Sequence, residues 1–351
     1  MKHEKTYLLS ADECNQLFAK LEERYDLYAP VRIPAGGRYA QTDSILYRQI
    51  HKYEDIEYRE RSTYAMKEVL TPITQTLFYF TEDEYQESKP PEKDILLFGR
   101  ACDINAIKIQ DQIYLKNGSD EDYFYKRIRK RVKFVLMECT QQFEGCFCCS
   151  VGANTTDMHS LAISFRKDCA YLEIRDPEFE PYFKDSKSSD YEIQFPKENE
   201  LKVKYPVIDS IDLANRLKEH PMWNEFDDRC IGCGSCTVAC STCTCFETTD
   251  IVYTQNAHVG ERRRTCSSCM VDGFDSMAGG HCFRQTTSEK YRYKIMHKVY
   301  GYNARFHAGP MCVGCGRCSA RCPQLISYPA TLNKLSKAIE EIKQEEGKTD
   351  D

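Results

Sequence analysis

Apolar and polar positions divide the chain into two stretches with different rhythms. In the first, Cys14, Leu17, Phe18 and Leu21 recur at helical intervals behind Ser10-Ala11-Asp12-Glu13, which has the spacing of a capping box, so a helix is predicted over about 11–24. Short runs of strand length follow at 44–50, 95–98, 132–137, 162–165 and 170–174. The last two are separated by Arg166-Lys167-Asp168-Cys169, which reads as a hairpin turn. The order of these elements is too irregular for a doubly wound sheet. The stretch from Asp185 to Pro206 mixes charge, Ser and Pro and is the predicted linker. Beyond it the period becomes helical, over 212–219, 285–299 and 330–346, the last with Leu332, Leu335, Ile339 and Ile342 on one stripe ahead of a charged tail. The expected fold class is therefore α+β, with a mixed α/β domain over 1–205 and a mostly α-helical domain over 206–351.

With 41% apolar and 29% charged residues, 351 residues suffice for two globular domains. A formal charge of −6 provides no global attraction to nucleic acid or to an acidic membrane surface. No apolar run reaches the roughly 18 residues of a membrane helix, and the opening MKHEKTYLLSADE is too charged for a secretory leader. A cytoplasmic protein without membrane or nucleic-acid partners is expected. No GxGxxG or P-loop pattern occurs, so no nucleotide site of its own is expected either. The 20 cysteines change this picture, because clustered thiols in a reducing compartment point to metal or redox chemistry. Thirteen of them lie between Cys230 and Cys322.

Cys230, Cys233, Cys236 and Cys240 form a C-x2-C-x2-C-x3-C run, and Cys312, Cys315, Cys318 and Cys322 repeat it with Pro323 after the last. This is the spacing that holds [4Fe–4S] clusters in bacterial-type ferredoxins, where the fourth cysteine of each run ligates the other cluster. Gly232, Gly234, Gly314 and Gly316 allow a tight loop to wrap one face of a cubane. By the crossing, one cluster takes Cys230, Cys233, Cys236 and Cys322, and the other Cys312, Cys315, Cys318 and Cys240. Structural zinc, which favours paired knuckles, is the weaker reading of four evenly spaced cysteines occurring twice. Ser241 stands where Pro is expected after the first run. The 71 residues between Cys240 and Cys312 are too many for a compact ferredoxin and favour an α-helical one.

Other cysteines carry weaker signals. Cys102, Cys139, Cys146 and Cys148 make a complete set of four for a third [4Fe–4S] cluster, with Cys149 able to exchange with Cys148; buried apolar thiols are the alternative. Cys243, Cys245, Cys266, Cys269 and Cys282 read as packing residues or sulfur-directed donors, with zinc or another cluster as the alternative. Nearby His258, His281, His297 and His307 are given no role as ligands. The basic runs 126–131 and 262–264 read as solvated faces or as docking sites for an acidic partner.

The ordered set GRACD, ECTQQFEGCFCC, CIGCGSCTVACSTCTCF, HCFR and CVGCGRCSARCP resembles the iron–sulfur electron-transfer subunit of anaerobic sulfite reductase and, more distantly, the β subunit of sulfhydrogenases. The resemblance spans essentially the whole chain, including MKEVLTPITQTLFYF at 66–80. Relatives often read PCD at Ala101-Cys102-Asp103 and HNFR at His281-Cys282-Phe283-Arg284, so Cys282 is expected to be incidental. The resemblance implies a non-catalytic electron-transfer subunit of a cytoplasmic complex. A flavin subunit would take electrons from NADH, and a sirohaem subunit would reduce sulfite to sulfide. The alternative is the iron–sulfur subunit of a hydrogenase or other oxidoreductase complex.

Overall fold

The computed structural model describes residues 5–39, 41–140, 142–253, 255 and 257–349, without the side chains of 346–349. It has mixed α/β content and divides into two compact units that are not two consecutive segments. The first comprises residues 1–143, 153–197 and 247–265, and the second 144–152, 198–246 and 266–351. The chain thus crosses to the second unit after Lys197, near the predicted linker, and the short segments 144–152 and 247–265 change sides.

Strands of the first unit are β1 (Lys5–Ser10), β2 (Tyr25–Ile33), β3 (Ser44–Gln49), β4 (Thr74–Phe80), β5 (Tyr85–Glu87), β6 (Asp94–Gly99), β7 (Val132–Met137), β8 (Leu161–Phe165), β9 (Cys169–Ile174) and β10 (Lys187–Ser189), followed by β11 (Phe246–Val252) and β12 (Gly260–Cys266). Eight of them form one sheet in the order β10-β1-β9-β8-β7-β6-β2-β3. Its centre, β2-β6-β7-β8, is parallel, and the flanking pairs are antiparallel. Such a parallel centre must be covered on both faces, which explains why β6 and β8 are nearly continuous apolar runs. Successive residues of β6 point to opposite faces: Leu96 and Phe98 enter a core with the helix Ala11–Leu21, while Ile95 and Leu97 enter one with the helix Ala101–Leu115. Ser10 and Glu13 close the expected capping box.

A second sheet, β11-β12-β4-β5, uses the predicted basic run. Arg262 pairs with Asp250 at 2.7 Å, Arg263 with Glu261, and Arg264 with Asp122 at 2.5 Å. In the other run, Arg129 pairs with Asp111 at 2.9 Å and Arg131 with Asp94 at 3.2 Å. Both runs therefore direct much of their charge to partners within the fold.

The second unit is helical. Ser210 caps Ile211–Glu219, Thr286 caps Thr287–Met296, and a π-helical turn His297–Gly301 leads into Tyr302–Phe306. The long Tyr328–Thr349 helix places Leu332, Leu335, Ile339 and Ile342 in a core shared with Leu213, Leu217, Trp223, Phe226, Tyr291 and Ile295. Five of the cysteines in the two long motifs, Cys230, Cys236, Cys312, Cys318 and Cys322, pack on that core.

Candidate metal centre

Each long motif begins as an irregular loop and ends in one helical turn. Gly232 and Gly234 have φ of 64° and 73°, and Gly314 and Gly316 have 65° and 73°. Four glycines in the left-handed region turn the chain twice within each loop, which other residues adopt only with strain. Gly234 then opens the turn Ser235–Val238, which carries Cys236, and Gly316 opens Arg317–Ala320, which carries Cys318. These two turns pack on each other.

That packing brings the runs across one another. A cavity is lined by Cys230, Cys233 and Cys236 from the first run and by Cys318 and Cys322 from the second. Burial pushes the Cys230 thiol up, the Gly232 amide opposes it, and the nearby Cys236, Cys322 and Cys233 add to the rise. In the second group, burial pushes Cys312 up to about 12 against Lys298 and the Gly314 amide, with Cys240 and Cys315 adding to it. Cys318 is raised by burial, then by Cys240, Cys312 and Cys315. The structure thus places Cys230, Cys233, Cys236, Cys318 and Cys322 around one cavity, and Cys240, Cys312, Cys315 and Cys318 near one another. Buried thiols that raise one another remain protonated unless a positive core holds their thiolates. The Gly314 amide donates to Cys312 Sγ at 3.4 Å and the Ile326 amide to Cys322 Sγ at 3.3 Å, as ligand sulfurs require. This donor set fits [4Fe–4S] clusters, one iron to each thiolate. Among the described residues, no three His, Cys, Asp or Glu side chains stand as the ligands of a single metal ion must.

Of the third set, two cysteines belong to each unit. Cys102 lies in the first turn of Ala101–Leu115, and Cys139 lines a cavity of about 420 Å³ with Arg59, Arg100 and Arg166, all in the first unit. Cys146 and Cys148 belong to the second unit. There, Cys146 Sγ contacts the Cys315 carbonyl at 3.6 Å, Cys148 Sγ contacts Asn199 Oδ1 at 3.7 Å, and the Phe147 amide donates to the Gly314 carbonyl at 2.8 Å. The Cys149 amide donates to Asn199 Oδ1 at 2.8 Å. In the insert, Cys245 hydrogen-bonds Cys269, and that bond first, then Lys294, holds the Cys269 thiol below the usual range. Cys282 meets Ser276 Oγ at 3.1 Å.

Sequence reading missed the groups packed around these loops. Lys290, Lys294 and Lys298, spaced four apart from the helix into the π-helical turn, are all buried. Lys294 Nζ donates to the Cys236 carbonyl at 3.2 Å and to Thr237 Oγ1 at 3.3 Å, and lies 3.7 Å from Cys243 Sγ. Lys298 Nζ donates to Thr242 Oγ1 at 2.7 Å. Burial pushes both ammonium groups down, but nearby cysteines outweigh it: Cys236 first for Lys294 and Cys240 first for Lys298. Buried Arg317 donates from Nη1 to Ser241 Oγ at 3.2 Å, and that hydroxyl lies 3.4 Å from Cys315 Sγ. The only available signal was the four-residue spacing of the lysines, which a solvated helix face also produces.

Cysteines spaced in two like runs on glycine-turned loops are the donor chemistry of an iron–sulfur protein. The comparisons agree: residues 229–326 match the model of a 4Fe-4S dicluster domain. The chain is also similar to sulfhydrogenase 2 subunit beta of Pyrococcus furiosus, at 28% identity over 92% of this chain and 96% of that protein. No solved structure matches.

Proposed function

We propose that this chain is the electron-transfer component of a cytoplasmic, sulfhydrogenase-type oxidoreductase complex, binding two [4Fe–4S] clusters through Cys230, Cys233, Cys236 and Cys322 and through Cys312, Cys315, Cys318 and Cys240. The proximity of the cysteines of both runs, with Cys230, Cys233, Cys236 and Cys322 lining one cavity and Cys312 and Cys318 near Cys240 and Cys315, supports the reading. The near-full-length similarity to a sulfhydrogenase β subunit supports the type of complex and favours it over a sulfite reductase. The second reading, the iron–sulfur subunit of anaerobic sulfite reductase, conducting between flavin/NADH and sirohaem subunits, is favoured by the ordered cysteine segments from GRACD to CVGCGRCSARCP. Among the described residues no helix is long and apolar enough to cross a membrane.

Bound cubanes supply one-electron transfer. The protein's own residues fix the ligands through the glycine turns, direct the Gly314 and Ile326 amides at sulfur, and bury the thiols against an apolar core.

Anaerobic purification with native partners tests both levels. About eight iron and eight labile sulfide per chain are expected from two cubanes, and about twelve if Cys102, Cys139, Cys146 and Cys148 hold a third. Nickel in the co-purified complex supports the hydrogenase type, and a sirohaem absorbance band supports the sulfite reductase. Zinc without iron would overturn the cluster assignment.

A further inference from the structure

The buried lysines are expensive features for a helix that packs on an apolar core. Lys294 and Lys298 are each 3% exposed, and an ammonium removed from water without a counter-charge is strongly unfavourable. Lys290, the third of the stripe, pairs with Asp272. The polar partners of the other two are a carbonyl, hydroxyls and a thiol, and none of these carries a full negative charge to balance the ammonium. Eight residues along an α-helix drift about 80° around its axis. The π-helical turn at 297–301 is wound more widely, which reduces that drift and keeps Lys298 on the cysteine side.

We propose that Lys294 and Lys298 are fixed counter-charges that raise the reduction potentials of the clusters, Lys298 acting on the Cys240, Cys312, Cys315, Cys318 site and Lys294 on both. The proposal rests on the cluster reading above. Reduction adds one negative charge to a site that already carries four thiolates. A buried cation nearby stabilises the reduced form more than the oxidised one, and low local dielectric keeps that difference large. The division of labour follows the contacts. Lys294 holds the carbonyl of Cys236, a ligand of one cluster, and lies 3.7 Å from Cys243 Sγ, whose thiol bonds Cys240, a ligand of the other. Lys298 Nζ donates to Thr242 Oγ1 at 2.7 Å, and that hydroxyl lies 3.5 Å from Cys240 Sγ, a ligand of one cluster. They are positioning residues, since neither is a ligand.

Redox titration of the anaerobically isolated holoprotein, followed by electron paramagnetic resonance, tests this. Lys298→Met is expected to lower the reduction equilibrium of one cluster about tenfold, or about 59 mV for a one-electron couple, and to leave the other in place. Lys294→Met is expected to lower both. Lys294→Arg and Lys298→Arg retain the charge and should restore wild-type potentials, and Lys290→Met, which removes an already paired cation, should shift neither. Unchanged potentials in fully iron-loaded Met variants overturn the proposal, as does an equal shift from Lys290→Met. Iron loss from both Met variants with the Arg variants loaded assigns the lysines to holding the clusters and overturns the tuning role. A wild-type chain without iron or a reduced-cluster signal defeats the cluster reading itself.

Discussion

The loops Cys230–Cys236 and Cys312–Cys318 share a backbone and differ in what presses on them. Their glycine angles agree to about a degree, so the same spacing has folded the same way twice. Around the first, Cys233 and Ile231 are exposed. Around the second, Cys315 is buried, the 144–152 segment lies across Gly314, and Arg317 and Lys298 approach from within. Repeated motifs set ligand geometry, whereas the neighbours set access and charge. An open cluster suits exchange of electrons with a partner, and a covered one suits their retention.

The largest test of this contrast is at the glycines. A methyl group on Gly314 would lie 2.6 Å from the Phe147 carbonyl carbon and the Cys148 amide nitrogen, both backbone atoms that cannot yield cheaply. On Gly232 the nearest atom, the Met270 carbonyl oxygen, is 3.3 Å away. Gly314→Ala should therefore lose the second cluster, about half the iron of a two-cluster chain. Gly232→Ala should stay loaded and lose only about 1–2 kcal/mol to the left-handed backbone. Iron analysis with thermal unfolding checks the pair; equal loading of both variants would erase the distinction between the loops.

Next in size is the rate of iron loss. Because the first loop exposes a ligand and the second hides its counterpart, chelation of the oxidised protein should be biphasic, with the first half of the iron leaving about tenfold faster or more. Cys146→Ala, which opens the cover by removing the sulfur beside the Cys315 carbonyl, should speed only the slow phase. Absorbance decay in the presence of a chelator measures both; a single phase for all iron would count against unequal access.

Much of this was legible beforehand because it depends on local spacing. The capping box at Ser10, the strands at 132–137 and 170–174 and the apolar stripe from Leu332 to Ile342 each state their own geometry. The helix Ala101–Leu115 was missed because its apolar residues lie around much of its circumference, as a buried helix allows. The hairpin β11–β12 was missed because Arg262, Arg263 and Arg264 read as a solvated run, while Asp250, the partner of Arg262, is set by pairing across strands and Asp122, the partner of Arg264, by a helix cap distant in sequence. Lys294 and Lys298 were illegible for a related reason: only the tertiary fold turns a lysine stripe toward sulfur rather than water.

The smallest expected effect concerns Ser241, the residue that departs from the Pro ending of the second run. Its hydroxyl accepts from Arg317 Nη1 and is placed to donate to Cys315 Sγ, so it passes a buried positive charge toward one ligand sulfur. A hydrogen bond to a ligand thiolate stabilises the reduced cluster, which carries more charge on sulfur. Ser241→Ala removes the bridge, a loss of about 1 kcal/mol in stability. The reduction equilibrium of the second cluster should fall a few-fold, with the first cluster unmoved. Ser241→Pro restores the ending of the second run but not the hydroxyl, and should behave like Ser241→Ala in a redox titration. A wild-type potential in Ser241→Pro would show that the pattern rather than the bridge is what matters at this position.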